Sequence, residues 1–314
     1  MILTVTPNPC VDKTVFVDDL KPGTKILSRK CGCVPGGKGS NVSRAVKALG
    51  RNTKAMTIVG GHTGAHVVDM IRHQDGVEVV PVWVASPTRT ITTVLEEPIH
   101  RQTALFEPGP RVTDEEAANA IKTFAEIVGQ AKVVTFNGTV PDPNIETLYM
   151  EFIPIARQQG VTTILDSHGP EFKLGVEAMP YMIKPNVVEA AELVGHPLET
   201  DLAKWKAIDF FHNKGVELVV MSLGKEGALV SRGEERFQVV PPAIKEVNPV
   251  GSGDALVAGF AIGLMEGMAL EEMAVLACAA GTANAMSWDI GHFSIADVEN
   301  IITHVQRRRI AVTT

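Results

Sequence analysis

The sequence predicts an α/β protein: a mostly parallel central sheet flanked by helices, with a small β-sheet set against it. Three observations carry this expectation. Short apolar runs alternate with amphipathic segments along most of the 314 residues, the rhythm of strands joined by crossover helices. Several apolar runs end in Gly, Asn, Asp or Ser, which gathers polar groups at the carboxyl edge of the strands, where open α/β sheets bind ligands. Two stretches break the rhythm and read as strand after strand with no helix between them.

In chain order, the candidate core strands are MILTVTP, TKAMTIVG, AKVVTFNG, VTTILDS, YMIKPN and VELVVMSLG. The helices carry their own punctuation. SNVSRAVKALG stops at Gly50, TDEEAANAIKTFAEIVG opens with Thr113 and Glu116 at capping-box spacing, and SIADVENIITHVQRRR opens with Ser294. The basic cluster QRRR at 306–309 is expected to close that last helix, where cations suit the dipole. The stretches without helices are 13–34 and about 78–106. They are expected to form a β-rich insertion over one end of the molecule, a lid or a dimer surface, and the alternative is ordinary edge strands of the main sheet. No internal repeat or long linker divides the chain, so residues 1–314 are read as one domain.

Hydrophobic residues make up 45% of the chain, ample for a large core at this length. The formal net charge is -7 and QRRR is the one basic run, which argues against nucleic acid as a partner. The opening MILTVTPNP reaches a proline too soon for a signal peptide, and no apolar run approaches the roughly eighteen residues of a membrane span. A cytoplasmic protein is expected. Cys10, Cys31, Cys33 and Cys278 lack CxxC spacing, and the nine histidines lack HExxH spacing, so reduced thiols and no structural metal are expected.

Three stretches hold groups suited to chemistry. In NPVGSGDALVAGF, residues 248–260, Gly251 and Gly253 free the backbone for a tight turn just before an apolar helix. Such a start aims unsatisfied N–H groups at one point, which suits an anion, and Asp254 beside it is either a helix cap or a group that takes a proton from a hydroxyl. In PGGKGSNVSRAVKALG, residues 35–50, Gly36, Gly37 and Gly39 surround Lys38. This permits close approach of backbone to ligand with one cation aimed at it, or else it is a glycine turn with a solvated lysine. Neither GxxxxGK[ST] nor GxGxxG is present, so Walker-type and dinucleotide readings lose their fingerprints. In TPNPCVDKT, Asp12 either accepts hydrogen bonds from sugar hydroxyls or bonds its own turn.

Taken in this order, GGKGSN at 36–41 and NPVGSGDALVAGF resemble the two signatures of the ribokinase-like, or phosphofructokinase B, sugar kinases. The opening LTVTPNPCVDKT and FEPGP at 106–110 are similar to the branch containing 1-phosphofructokinase and tagatose-6-phosphate kinase. The resemblance spans the chain from its first strand to near Gly291. It implies a ribokinase-like fold and transfer of phosphate from ATP, with magnesium, to a ketohexose monophosphate such as fructose 1-phosphate, tagatose 6-phosphate or fructose 6-phosphate. By likeness, Asp254 is the general base and the amides of Gly251, Ser252 and Gly253 form the anion hole. Asp12, Gly37, Lys38 and Asn41 hold the sugar phosphate, and Arg89 in PTRT meets its phosphate. KPNVVEAAEL resembles the family's Asn-x-x-Glu element, so that Asn186 and Glu189 organise magnesium and phosphates through water, with Lys184 adding charge. Ser222, Gly224 and Gly227 of SLGKEGA match the nucleotide loop, and Asn284 is expected beside the adenine.

The chain departs from the branch at Ile91 and Phe106, where asparagines are usual, and at Ala255, where serine is frequent. The first two fall in the expected lid and leave the sugar open. Two rival readings follow: a ribokinase-like kinase of an unphosphorylated sugar or nucleoside, and a sugar-phosphate sensor without turnover. Lid strands left uncovered favour a homodimer.

Overall fold

The buried run at the start of the chain forms β1 (Ile2–Thr6), whose side chains alternate between two cores: Ile2 enters one, Leu3 and Val5 the other. The computed structural model describes residues 1–99 and 101–309. After β1 come β2 (Cys10–Val17), β3 (Lys30–Gly36), α1 (Lys38–Ala48), β4 (Thr53–Gly60), α2 (Gly61–His73), β5 (Glu78–Val84), β6 (Thr90–Glu96) and β7 (Arg101–Phe106). The middle of the chain forms α3 (Asp114–Ile127), β8 (Val133–Asn137), α4 (Leu148–Gln158), β9 (Thr162–Asp166), α5 (Gly169–Glu177), β10 (Met182–Ile183), α6 (Val187–Val194) and α7 (Asp201–Asn213). It closes with β11 (Leu218–Ser222), β12 (Ala228–Arg232), β13 (Glu235–Val240), α8 (Ser252–Glu266), α9 (Leu270–Met286), α10 (Ile295–Ile302) and β14 (Gln306–Arg309).

All six candidate core strands lie side by side in one large sheet of order β14-β13-β12-β11-β10-β9-β8-β1-β4-β5. From β5 to β11 neighbours run parallel, and β12, β13 and β14 add antiparallel. The core beneath one face is filled from α3 to α7, for example by Phe124, Phe152, Phe172 and Phe211. The opposite core is filled by α1, α8, α9 and α10, for example by Val42, Phe260, Ala277 and Ile301. This is the α/β class expected from the alternating rhythm. The capping box expected at Thr113 is formed, the helix start expected at Ser294 is found and carries a capping box of its own, and no helix among the described residues is long and apolar enough to cross a membrane.

A second sheet of order β3-β2-β6-β7 departs from the carboxyl ends of β1 and β5. It consists of two antiparallel hairpins joined by the parallel pair β2–β6. Helix α2 packs between its root and the large sheet through Val67, Val68 and Ile71 against Val11, Ala55 and Val59. Of the β-rich stretch 78–106, the first part is β5, which pairs parallel to β4 at the edge of the large sheet, while β6 and β7 belong to the small one.

The end of the chain corrects the sequence reading. QRRR does not close the last helix: α10 stops at Ile302, and 306–309 is the strand β14. It covers the otherwise open edge of β13, whose unpaired backbone groups need partners. Arg307 and Arg309 then reach Glu271 of α9 at 2.6 and 3.2 Å.

Candidate active site

Strand order reverses at β1, which has β4 on one side and β8 on the other. A crevice outside the carboxyl ends of strands at such a reversal is the ligand site of open α/β sheets. Here it receives Asn8 after β1, Gly138 after β8, Asp166 at the end of β9, Lys184 after β10, and the first turns of α1 and α8.

Helix α8 begins on Gly251 with φ 82°, a left-handed conformation that glycine adopts without strain, and no side chain caps it. Asp254 lies in the first turn, yet it is not the cap. Its Oδ2 accepts from Asn41 Nδ2 of α1 at 2.8 Å, and the residue is only 6% exposed. Burial pushes its carboxyl up to about 6, aided by the nearby Asp166 charge and opposed by Lys38, the Asn41 hydrogen bond and Lys184. A carboxylate of raised proton affinity beside an uncapped helix start has the two properties needed to take a proton and receive an anion.

Next to it is a group the sequence reading passed over. Asp166 is fully buried, and its Oδ1 accepts from both Lys38 and Lys184 at 3.2 Å each, while Oδ2 has no partner. Burial alone would raise the Asp166 carboxyl, but Lys184 and Lys38 hold it below its ordinary value. Burial would likewise lower Lys38, but Asp166, Asp254 and Glu189 hold it well above the ordinary range for lysine. Lys184 sits against α8, 3.4 Å from where a Cβ on Gly253 would be. The signal in the sequence was the Asp closing VTTILDS, a carboxylate at the ligand edge of a core strand.

The glycine run before α1 is tightly enclosed. A Cβ on Gly37, at φ 109°, would lie 2.8 Å from Thr6 Cγ2, and one on Gly36 would lie 2.4 Å from Cys10 Sγ. Asp12 on β2 abuts Gly36, with its carboxyl raised by burial and partly offset by Arg44. Arg89 donates from Nη2 to the Asn8 carbonyl at 3.2 Å, while its buried Nε and the buried Oδ1 of Asn8 both lack partners. Asp12, Ile91 and Phe106 follow one another across β2, β6 and β7 in a single row, and Phe106 remains 69% exposed.

On the other side of the crevice, Asn186 and Glu189 form a reciprocal capping box at the start of α6, with bonds of 2.9 and 2.8 Å. Asn186 also bridges to Ser222, after which Gly224 and Gly227 shape a short turn before β12. Asn284 is bound to the loop that opens α8. It is buried, and its amide is committed to Val250 O at 2.8 Å, Ser252 Oγ at 3.2 Å and the Gly291 N–H at 2.8 Å. Its polar atoms thus tie the loop before α8 to the chain near Gly291. Among the described residues no three His, Cys, Asp or Glu side chains converge as a metal cage.

The chain matches the pfkB family carbohydrate kinase profile over residues 5–287. It is 30% identical over 311 residues to a tagatose-6-phosphate kinase of Staphylococcus epidermidis, covering 98% of this chain and 99% of that one. The phosphofructokinase-2 of Escherichia coli, solved in complex with fructose-6-phosphate, superimposes with a TM-score of 0.87 at 30% identity over 96% of this chain and 98% of that one. Ribokinase of Arabidopsis thaliana, complexed with ribose and ATP, shares the fold with a TM-score of 0.79 at 23% identity over 96% and 98%. With the match running through both glycine stretches and nearly the full length, the protein belongs to the pfkB family of carbohydrate kinases.

Proposed function

We propose that the protein transfers the γ-phosphate of ATP to a hydroxyl of a ketohexose monophosphate, giving a bisphosphate. The observation that carries the phosphorylated acceptor is Arg89, a guanidinium whose Nη2 donates to the Asn8 carbonyl while its buried Nε has no protein acceptor. Leaving a buried donor unpaired is costly, and a substrate phosphate supplies the acceptors that a planar fork suits. The names of the tagatose-6-phosphate kinase relative and of the fructose-6-phosphate complex support the same acceptor class.

In this reading Asp254 takes the proton of the acceptor hydroxyl, and the Gly251, Ser252 and Gly253 amides receive the transferring phosphoryl group. Gly37, Asp12 and Asn41 orient the sugar, while Lys38 and Lys184, both held by Asp166, offset charge. Asn186, Ser222, Gly224 and Gly227 line the ATP side, and Asn284, placed beside the adenine in this reading, also holds the 250–252 loop. Magnesium fits this donor set: Asp166 Oδ2 is a buried acceptor without a partner, and Glu189 lies close enough to act on Lys38. Asp166, Asn186 and Glu189 would hold the ion through its retained water. When bound, it supplies charge neutralisation between the ATP phosphates.

The small sheet is the proposed lid of a single domain, closing over the sugar to exclude water. Its exposed Leu105, on the face turned away from the row of Asp12, Ile91 and Phe106, favours pairing with a second copy through the same sheet. The test of function is ADP release from magnesium ATP over a panel of phosphorylated and free ketoses and pentoses, with Asp254→Asn beside it. Turnover is expected only with ketohexose monophosphates. Preference for a free sugar would overturn the Arg89 assignment, and silence across the panel would favour a sensor.

A further inference from the structure

All five N–H groups of Arg44 are used, and every acceptor is inside the protein. Nε and Nη2 donate to the two oxygens of Asp75 at 2.9 and 3.2 Å. Nη2 also reaches the Pro35 carbonyl at 2.8 Å, and Nη1 donates to the Ile290 carbonyl at 2.9 Å and to Asn41 Oδ1 at 3.3 Å. The two side chains are almost wholly buried, Arg44 4% and Asp75 3% exposed. One side chain thereby joins the segment after α2, the glycine turn before α1, the loop near Gly291, and Asn41.

A buried ion pair is weak grounds for stability, because desolvation offsets most of the attraction and apolar replacements are often tolerated. Its geometry points to Asn41 instead. An amide offers an acceptor on one side and donors on the other, whereas a carboxylate only accepts and a guanidinium only donates. With Arg44 on one side and Asp254 on the other, one orientation of the Asn41 amide satisfies both: Oδ1 to Arg44 and Nδ2 to Asp254 at 2.8 Å. The reverse orientation sets oxygen against carboxylate and NH2 against guanidinium.

We propose that Arg44 is a positioning residue for phosphoryl transfer, holding Asn41 in the orientation that delivers a hydrogen bond to Asp254. The inference rests on Asp254 being the base. The charged groups that face Asp254 are Asp166 from β9, Lys38 from α1 and Lys184 after β10. None of these three is an acceptor of Arg44, so replacing Arg44 reaches the base through Asn41; the replacement also removes the charge that lowers the Asp12 carboxyl, a change that Asn41→Ala does not share. Freed of its anchor, the amide flips part of the time, and the carboxylate then loses a donor that favours its charged form.

The test is the pH profile of kcat/KM in Arg44→Met, which removes the fork at similar length. Its acid limb is expected to move to higher pH by roughly half a unit to one unit, with KM for ATP changed by less than about twofold. Asn41→Ala is expected to move the limb the same way, and combining it with Arg44→Met to add nothing further. The substrate's own ionisation is common to all variants and cancels. A limb that stays at the wild-type pH, or additive shifts in the double variant, overturns the proposal, even if Arg44→Met melts earlier. Arg44→Lys keeps a cation against Asp75 but offers three donors to five acceptors, and its limb is expected to move too; if Arg44→Met does not fold, an unmoved limb here overturns the proposal. Asp254→Asn is assayed in parallel. Turnover by that variant would remove the base itself, an outcome distinct from an unmoved limb.

Discussion

Lys38 Nζ stands 3.2 Å from Asp166 Oδ1, and Lys184 Nζ reaches the same oxygen at the same distance. One buried carboxylate thus holds two cations at the mouth of the crevice, one on the first turn of α1 and one beside the first turn of α8. The side chain of Lys38 stays 30% exposed and so can meet a ligand, whereas Asp166 cannot move without stranding a charge.

Replacing Lys38 with Met is therefore expected to lower kcat/KM by about 100-fold, the scale of losing one charge-stabilising donor at a transferring phosphoryl group. The acid limb of the profile should also rise, because Lys38 is one of the groups that lower the Asp254 carboxyl. Steady-state kinetics over pH checks both, and activity within threefold of wild type would remove Lys38 from the transfer step.

The Asp254 carboxyl, pushed up to about 6 by burial and by Asp166, accepts a proton only when ionised. The rate kcat/KM is expected to climb as pH rises through about 6 and to level off above it. Asp254→Asn should lose activity by about 100- to 10,000-fold and show no such limb in what remains. A limb that persists in the Asn variant belongs to another group.

The same shift predicts a gain in stability from that inactivating change. A carboxyl held at about 6 when folded, against an ordinary 3.8, binds its proton more tightly in the native state. Its contribution is full below 3.8 and is lost as pH rises through about 6. At pH 8 the native protein thus carries a buried carboxylate that Asn relieves while still accepting from Asn41. Thermal melting should place Asp254→Asn above wild type by about 1–3 °C at pH 8, with the gap shrinking at pH 5. A variant that melts lower at pH 8 would contradict this.

The large sheet was legible because its strands are buried on both faces and read as continuous apolar runs, closed by polar residues at one edge. The glycine stretches were legible because close backbone approach excludes side chains, as the 2.4 Å contact of a Cβ on Gly36 illustrates. What stayed hidden depends on partners distant in sequence. Nothing local marks Arg44 in mid-helix as a buried fork, since its acceptors come from Pro35, Asp75 and Ile290. The Asn-x-x-Glu element carries a second meaning that the pattern alone cannot separate from ligand binding, a capping box on α6. QRRR misled because dipole complementarity at a helix end and ion pairing across an edge strand demand the same residues, and only the open edge of β13 decides between them.

Arg89 supports the sharpest test of the acceptor. Its Nη2 is spent on the Asn8 carbonyl and its Nε has no partner, so a substrate phosphate would complete the fork while the rest of the sugar lies toward Asp12. Arg89→Ala is expected to raise KM for the phosphorylated ketohexose by about 100-fold, and to change kcat less, because the contact is made before and during transfer alike. Arg89→Lys should recover little, since an ammonium cannot donate in parallel to two oxygens. Inorganic phosphate should compete with the sugar phosphate in wild type and lose that competition in Arg89→Ala. Equal KM values for wild type and Arg89→Ala would move the phosphate elsewhere in the crevice, and would leave a kinase of free sugars as the better reading of the same base and anion hole.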